Sequence, residues 1–194
     1  MSKVIHSHYK IYKPFGFLSQ FVNNEQRQGK RKMLGDLYDF PEGLMAIGRL
    51  DKQSEGLLLL TTDGKLSQRI RSKFIEKEYY VQVDGAITSE AIRHLETGVT
   101  ITVDGAPYLT RPAKAVKLGN TPVLPARGKK IRDDRHGPTS WISITITEGK
   151  FRQVRKMTSA AGFPTLRLVR YRIGEETIDG MVSGEVVQIS SMKC

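Results

Sequence analysis

The sequence predicts an α+β fold, a mixed and mostly antiparallel β-sheet with helices packed on it. Three observations point there. Period-two segments recur, most clearly WISITIT at residues 141–147, where Ile142, Ile144 and Ile146 face one way and Ser143, Thr145 and Thr147 the other. Strand-like segments outnumber helix-like ones. The two kinds do not alternate regularly, which disfavours a doubly wound parallel sheet.

Taken in order, residues 8–13 read as a first strand, ended by Pro14 and a turn at Gly16. Residues 23–32 are polar and basic and read as a loop. A short strand at 43–47 leads into GRLDKQSEGLLLLTTDGKL, where residues 57–61 read as a buried strand. Asp63 or Thr62 is a plausible N-cap for a helix that places Leu66, Ile70 and Phe74 on one apolar stripe. KEYYVQVD, residues 77–84, alternates as a strand. Thr88 can cap a second helix that carries Ile92 and Leu95 and stops at Gly98. Residues 118–138, rich in Pro, Gly and basic side chains, read as a long surface insertion. Residues 151–161 read as a helix with Phe151, Val154 and Ala161 on one face, stopped by Gly162 and Pro164. Strands at 166–173 and 185–189 complete the chain.

Composition narrows the function. Of 194 residues, 39% are hydrophobic and 26% charged, as in a soluble globular protein. No apolar run approaches the about 18 residues that a membrane span needs, so no membrane partner is expected. The N-terminal segment lacks the apolar core of a signal peptide, and the single cysteine, Cys194, has no internal partner, so a reducing, cytoplasmic location is expected. Nothing reads as an oligomer seam, and a monomer is expected. Lys and Arg total 31 against 20 Asp and Glu, a net charge of +11, which favours a polyanion and first of all nucleic acid. The surplus is clustered. Residues 149–172 hold Lys150, Arg152, Arg155, Lys156, Arg167, Arg170 and Arg172 without one acid. Arg27, Lys30, Arg31 and Lys32 form a second cluster. Arg127, Lys129, Lys130, Arg132 and Arg135 form a third, tempered by Asp133 and Asp134.

Several chemistries are disfavoured. The four histidines are scattered, so no zinc-ligand spacing exists. There is no GxxxxGK[ST], no GxGxxG and no GxSxG. What remains is one carboxylate, Asp51, set between Arg49-Leu50 and Lys52-Gln53 just ahead of the most apolar strand. Such an acid is either a turn residue or the centre of a reaction.

Three segments belong together: GRLD (48–51), KEYYV (77–81), and EGKFRQVRKM (148–157) followed by LVRYRIG (168–174). In order, spacing and context they resemble the motifs of the RsuA-like family of pseudouridine synthases, which modify ribosomal RNA. Ser54-Glu55-Gly56, GFPTLRLVRY (162–171) and the insertion narrow the likeness to a type acting on large-subunit (23S) rRNA. The resemblance implies one catalytic domain, residues 1–194, of two sub-lobes about a central cleft, without the N-terminal S4 RNA-binding domain that many members carry. It implies isomerisation of a uridine to 5-ribosyluracil with neither cofactor nor metal. It makes Asp51 the catalytic carboxylate, acting at C6 of uracil or at the ribose, and Arg155 its partner, because a guanidinium can offset the burial that would otherwise neutralise the acid. It assigns Tyr79 to the uracil ring, with Tyr80 as the structural competitor on the reverse face. Leu168 packs by the target base, and Arg49 helps open the site. With no S4 domain, RNA binding is expected from Arg31, Lys32, Lys129, Lys130, Arg132, Lys150, Arg152 and Lys156.

Overall fold

β3 (Glu55–Thr61) organises the molecule, because every one of its residues is buried. In the computed structural model, which describes residues 5–22, 31–72, 74–132 and 134–193, β3 lies between β1 (His8–Lys13), antiparallel to it, and β9 (Thr165–Ile173), parallel to it. Its alternating leucines serve two cores. Leu57 and Leu59 pack with Tyr12, Ile70 and Val169. Leu58 and Leu60 pack with Tyr9, Ile11, Leu34 and Leu44. Each fully buried leucine contributes roughly 1.5–3 kcal/mol.

The other elements extend the sheet outward. They are β2 (Met45–Ala46), α1 (Gly64–Ile70), β4 (Lys77–Asp84), α2 (Ser89–Thr97), β5 (Thr100–Val103), β6 (Ala106–Leu109), β7 (Lys114–Lys117), β8 (Thr139–Ile146), α3 (Gln153–Ala160), β10 (Glu176–Thr177) and β11 (Val186–Ile189). Among the described residues nine strands form one sheet, in the order β11-β1-β3-β9-β4-β8-β7 with β2 on β3 and β10 on β9, while β5 and β6 form a separate hairpin. Among the described strands every pair but β3–β9 is antiparallel. A third core joins β4 and β8 to the helices through Val81, Val83, Leu95, Ile142, Ile144, Val154 and Met157. The helix starts follow capping chemistry: Asp63 accepts from the Lys65 and Leu66 amides at 2.9 and 3.1 Å, and Thr88 Oγ1 accepts from the Ala91 amide at 3.2 Å.

The parallel contact of β3 with β9 dictates Gly56. Its φ is +100°, and a Cβ there would lie 2.3 Å from the Arg170 carbonyl oxygen. No other residue lets the two strands approach so closely.

The structure corrects three readings and adds elements that none of them covered. α1 ends at Ile70, so Phe74 does not continue its stripe and is 79% exposed. α3 begins at Gln153, and Phe151 is exposed rather than apolar-facing. The segment 118–138 is not simply a surface insertion: Leu124 joins the core of β3, and Arg127 has an 11% exposed side chain. The β5–β6 hairpin and β7 were not anticipated. Arg27, Lys30, Asp133 and Cys194 lie outside the described residues. Among those described, no helix is long and apolar enough to cross a membrane.

Candidate active site

The turn between β2 and β3 is held from three sides. The Ile47 amide donates to the Leu59 carbonyl (2.8 Å), the Leu50 amide to Ser19 Oγ (3.0 Å), and the Gly16 amide to the Lys52 carbonyl (2.8 Å). Asp51 closes the turn itself. Its Oδ1 accepts from the Gln53 amide at 2.9 Å, and its carbonyl accepts from the Ser54 amide at 3.1 Å. The second carboxylate oxygen reaches α3: Oδ2 lies 3.2 Å from Arg155 Nε and 3.3 Å from Arg152 Nη1. Burial pushes the Asp51 carboxyl up. Arg155, the Ser54 hydroxyl and Arg152 outweigh it and hold the group below the ordinary carboxylate range. Asp51 is therefore ionised at neutral pH in a place largely shielded from water.

Arg155 ties two elements together. Besides Asp51 it donates through Nη2 to the Gln53 carbonyl and to Ser54 Oγ, both at 3.1 Å. Arg152, expected from the sequence to contact RNA, also stands beside Asp51, at the start of α3 with φ 52° and ψ 33°. A left-handed conformation at a non-glycine residue costs on the order of 1–3 kcal/mol, which the ion pair helps to offset. The loop before it is pinned by Glu148, whose carboxylate accepts from Tyr108 OH (2.6 Å), the Arg111 amide (2.9 Å) and Gln153 Nε2 (2.5 Å). Burial raises the Glu148 carboxyl, but these donors win and lower it.

Asp51 opens on a cavity of about 650 Å³ whose walls include Arg49, Tyr79, Leu168, Arg170 and Phe151. Leu168 is buried. Tyr79 is on the cavity side of β4, while Tyr80 stacks on Tyr171 with ring centroids 4.5 Å apart. Arg49 is exposed and also lines a second hollow of about 450 Å³, with Arg31 and Met45.

The basic residues separate into two sets. Lys150 Nζ lies 4.8 Å from the Tyr108 ring centre, and Lys156 Nζ donates to the Thr102 carbonyl at 2.7 Å, so both flank the cavity on the α3 side. Lys32 lies 5.5 Å over the Phe17 ring and Lys129 5.9 Å over the Phe15 ring, with Lys130 exposed next to it. Arg132 differs, because its guanidinium is committed to Asp84 and to the carbonyls of His136 and Pro138. Among the described residues no group of three or more His, Cys, Asp or Glu gathers to hold a metal ion.

Sequence reasoning missed a buried charge cluster directly behind the site. Glu55 is paired bidentately with Arg167 (2.9 and 3.1 Å) and contacted by Arg127 Nε at 3.4 Å. Arg167 also donates to the Pro125 carbonyl at 2.7 Å, and Arg127 lies 4.2 Å over the Phe15 ring. Lys13 was missed too. It is fully buried, donates to the Pro14 and Phe17 carbonyls at 3.0 and 2.8 Å, and burial pulls its ammonium down to about 8 despite Asp51 and Glu55.

A family profile described as RNA pseudouridylate synthase matches residues 7–160. The chain belongs to that family. It is an RNA pseudouridine synthase, an isomerase, as its three motifs indicated. Among similar proteins, ribosomal large subunit pseudouridine synthase E of Xanthomonas axonopodis pv. citri (strain 306) is 42% identical over 173 residues, covering 88% of this chain and 87% of that protein. The protein of the same name from Vibrio vulnificus (strain CMCP6) is 44% identical over 181 residues, covering 92% and 73%. A crystal structure of a pseudouridylate synthase superposes with a TM-score of 0.73 at 26% identity, covering 95% of this synthase and 70% of that chain. The α+β fold predicted from the sequence is thus the pseudouridine synthase fold.

Proposed function

We propose that this chain isomerises one uridine of large-subunit ribosomal RNA to pseudouridine, working as a monomer and as a single catalytic unit of two sub-lobes. The observation that carries the reading is Asp51 itself: an ionised carboxylate clamped by Arg155 and Arg152 at the edge of a cavity large enough for a nucleoside. The names of the similar proteins supply the RNA class.

The reaction is balanced without an external reagent. The C1′–N1 bond breaks, the uracil turns, C5 joins C1′, and the C5 hydrogen leaves as a proton while N1 gains one. No electrons are exchanged, so the reaction needs no oxidant or reductant, and the reading assigns it neither cofactor nor metal. Asp51 Oδ2 supplies the basic or nucleophilic oxygen, at C6 of the ring or at the ribose. Arg155 keeps it ionised and holds the Gln53–Ser54 turn against α3. The uridine must leave its stack to reach this point. Leu168 and Tyr79 then offer an apolar floor and a ring for the base, and Arg49, exposed in the cavity wall, takes the role of reaching a phosphate or the space left by the extruded base. Lys150 and Lys156 on the α3 side, and Lys32, Lys129 and Lys130 beyond, attract the phosphates.

The test maps pseudouridine in rRNA and tRNA from cells lacking the protein and from cells carrying Asp51→Asn. Loss of the same single large-subunit site in both is expected. A missing tRNA site would move the substrate class, and a full set of sites in the Asn cells would remove Asp51 from the chemistry.

A further inference from the structure

Phe151 is 71% exposed, yet it lines the same cavity as Asp51 and the 5% exposed Leu168. The cavity therefore runs from an apolar floor to an aromatic mouth. A large apolar side chain at such a place is an expense to the isolated protein, since covering it is worth roughly 1.5–3 kcal/mol. Among the described residues only the Lys156 ammonium stands over the ring, on one face, which leaves most of the side chain open to solvent. Its surroundings are cationic: Lys156 Nζ is 5.4 Å from the ring centre, and Lys150 and Arg152 are its chain neighbours. Arg152, in its left-handed conformation, is tied to Asp51, so the turn that presents the ring is anchored to the reacting carboxylate.

Given the RNA substrate proposed above, on which this inference rests, we propose that Phe151 is the stacking platform for the base adjacent to the target uridine. Extruding a nucleotide strips its neighbour of one stacking partner. An exposed phenyl ring at the mouth restores a π-face to that neighbour while the uracil occupies the floor, and the surrounding cations meet the phosphates on either side. Stacking on an aromatic ring tolerates any base, so the platform sets the position of the RNA rather than its sequence. A protein partner is disfavoured because the ring stands at the mouth of a concave site among cationic side chains.

The test uses an in vitro transcript of large-subunit rRNA and synthetic hairpins carrying the mapped uridine. With Phe151→Leu the KM for RNA should rise about 5- to 150-fold, the factor for one base–aromatic stack, with kcat changed far less. Phe151→Trp should retain wild-type KM. In hairpins with an abasic nucleotide placed in turn on each side of the uridine, the penalty of Phe151→Leu should vanish at one position only. Unchanged KM in Phe151→Leu, or a penalty that persists with every abasic hairpin, overturns the platform. If the wild-type protein modifies no uridine in the transcript, the RNA reading fails and this inference falls with it, an outcome distinct from a Leu variant that matches an active wild type.

Discussion

Replacing Glu55 by Gln keeps the shape of the side chain and removes its charge. Glu55 is 1% exposed, and its partners Arg167 and Arg127 are 10% and 11% exposed at the side chain. The substitution therefore leaves two guanidinium groups facing each other in a largely dry place with no counter-charge. Removing one partner of a buried ion pair costs roughly 3–5 kcal/mol, and for a chain of this size each kcal/mol lowers the melting temperature by about 2–4 °C. A fall of the order of 10 °C is expected by thermal unfolding, with a lower midpoint in urea, which is used rather than guanidinium because guanidinium ions would screen the cluster. A second substitution, Arg127→Met, should be non-additive with the first by about 0.5–3 kcal/mol, because the two groups touch. The change also reaches the active site, since Glu55 follows Ser54, which accepts from Arg155. A Glu55→Gln protein whose urea midpoint equals that of wild type would refute the view that this cluster holds the catalytic turn.

Arg155→Met removes the main opposition to burial at Asp51. The acid limb of kcat/KM, below the ordinary Asp range in wild type, should shift upward, and the stability that Asp51 contributes above about pH 3.8, lost as pH falls through its lowered value, should shrink. Gly56→Ala forces a Cβ against the Arg170 carbonyl and should cost at least about 1–3 kcal/mol by thermal unfolding. Lys13 has its ammonium lowered to about 8, so the folded protein holds fewer protons than the unfolded one between that pH and 10.5. Wild-type stability relative to Lys13→Met should rise across that window by roughly 3 kcal/mol. Neutralising Lys129 and Lys130 should weaken RNA binding and flatten its dependence on salt by about 0.7 per lost phosphate contact. Arg132→Ala should instead lower stability through the lost Asp84 pairing.

What could be read from the sequence was local. The LLLL run declared a strand buried on both faces, KEYYVQVD carried its alternation, and Asp63 and Thr88 marked helix starts. The β5–β6 hairpin was also legible, because Asp104-Gly105 between TITV and APYL is a hairpin signal, and both residues have positive φ. The stripes drawn through Phe74 and Phe151 failed because periodicity does not say where a helix stops. Other features had no local signature. Glu55 meets Arg167 112 residues away, and its carboxylate looked from the sequence like a variation in a motif. The identity of a parallel neighbour for β3, which demands Gly56, is likewise a property of topology. The pairing of Asp51 with Arg155 came from the family resemblance, whereas the additional contact from Arg152 depends on a backbone conformation that no pattern of residue types reveals.

The central claim is that Asp51 performs the glycosidic chemistry. Joining C5 to C1′ expels the C5 hydrogen, so RNA carrying tritium at uridine C5 reports each turnover as tritium in water. Purified wild-type protein should release tritium from one uridine per large-subunit transcript, and Asp51→Asn should release none while binding the transcript with similar affinity. Tritium release by the Asn protein at a rate near that of wild type would contradict the account.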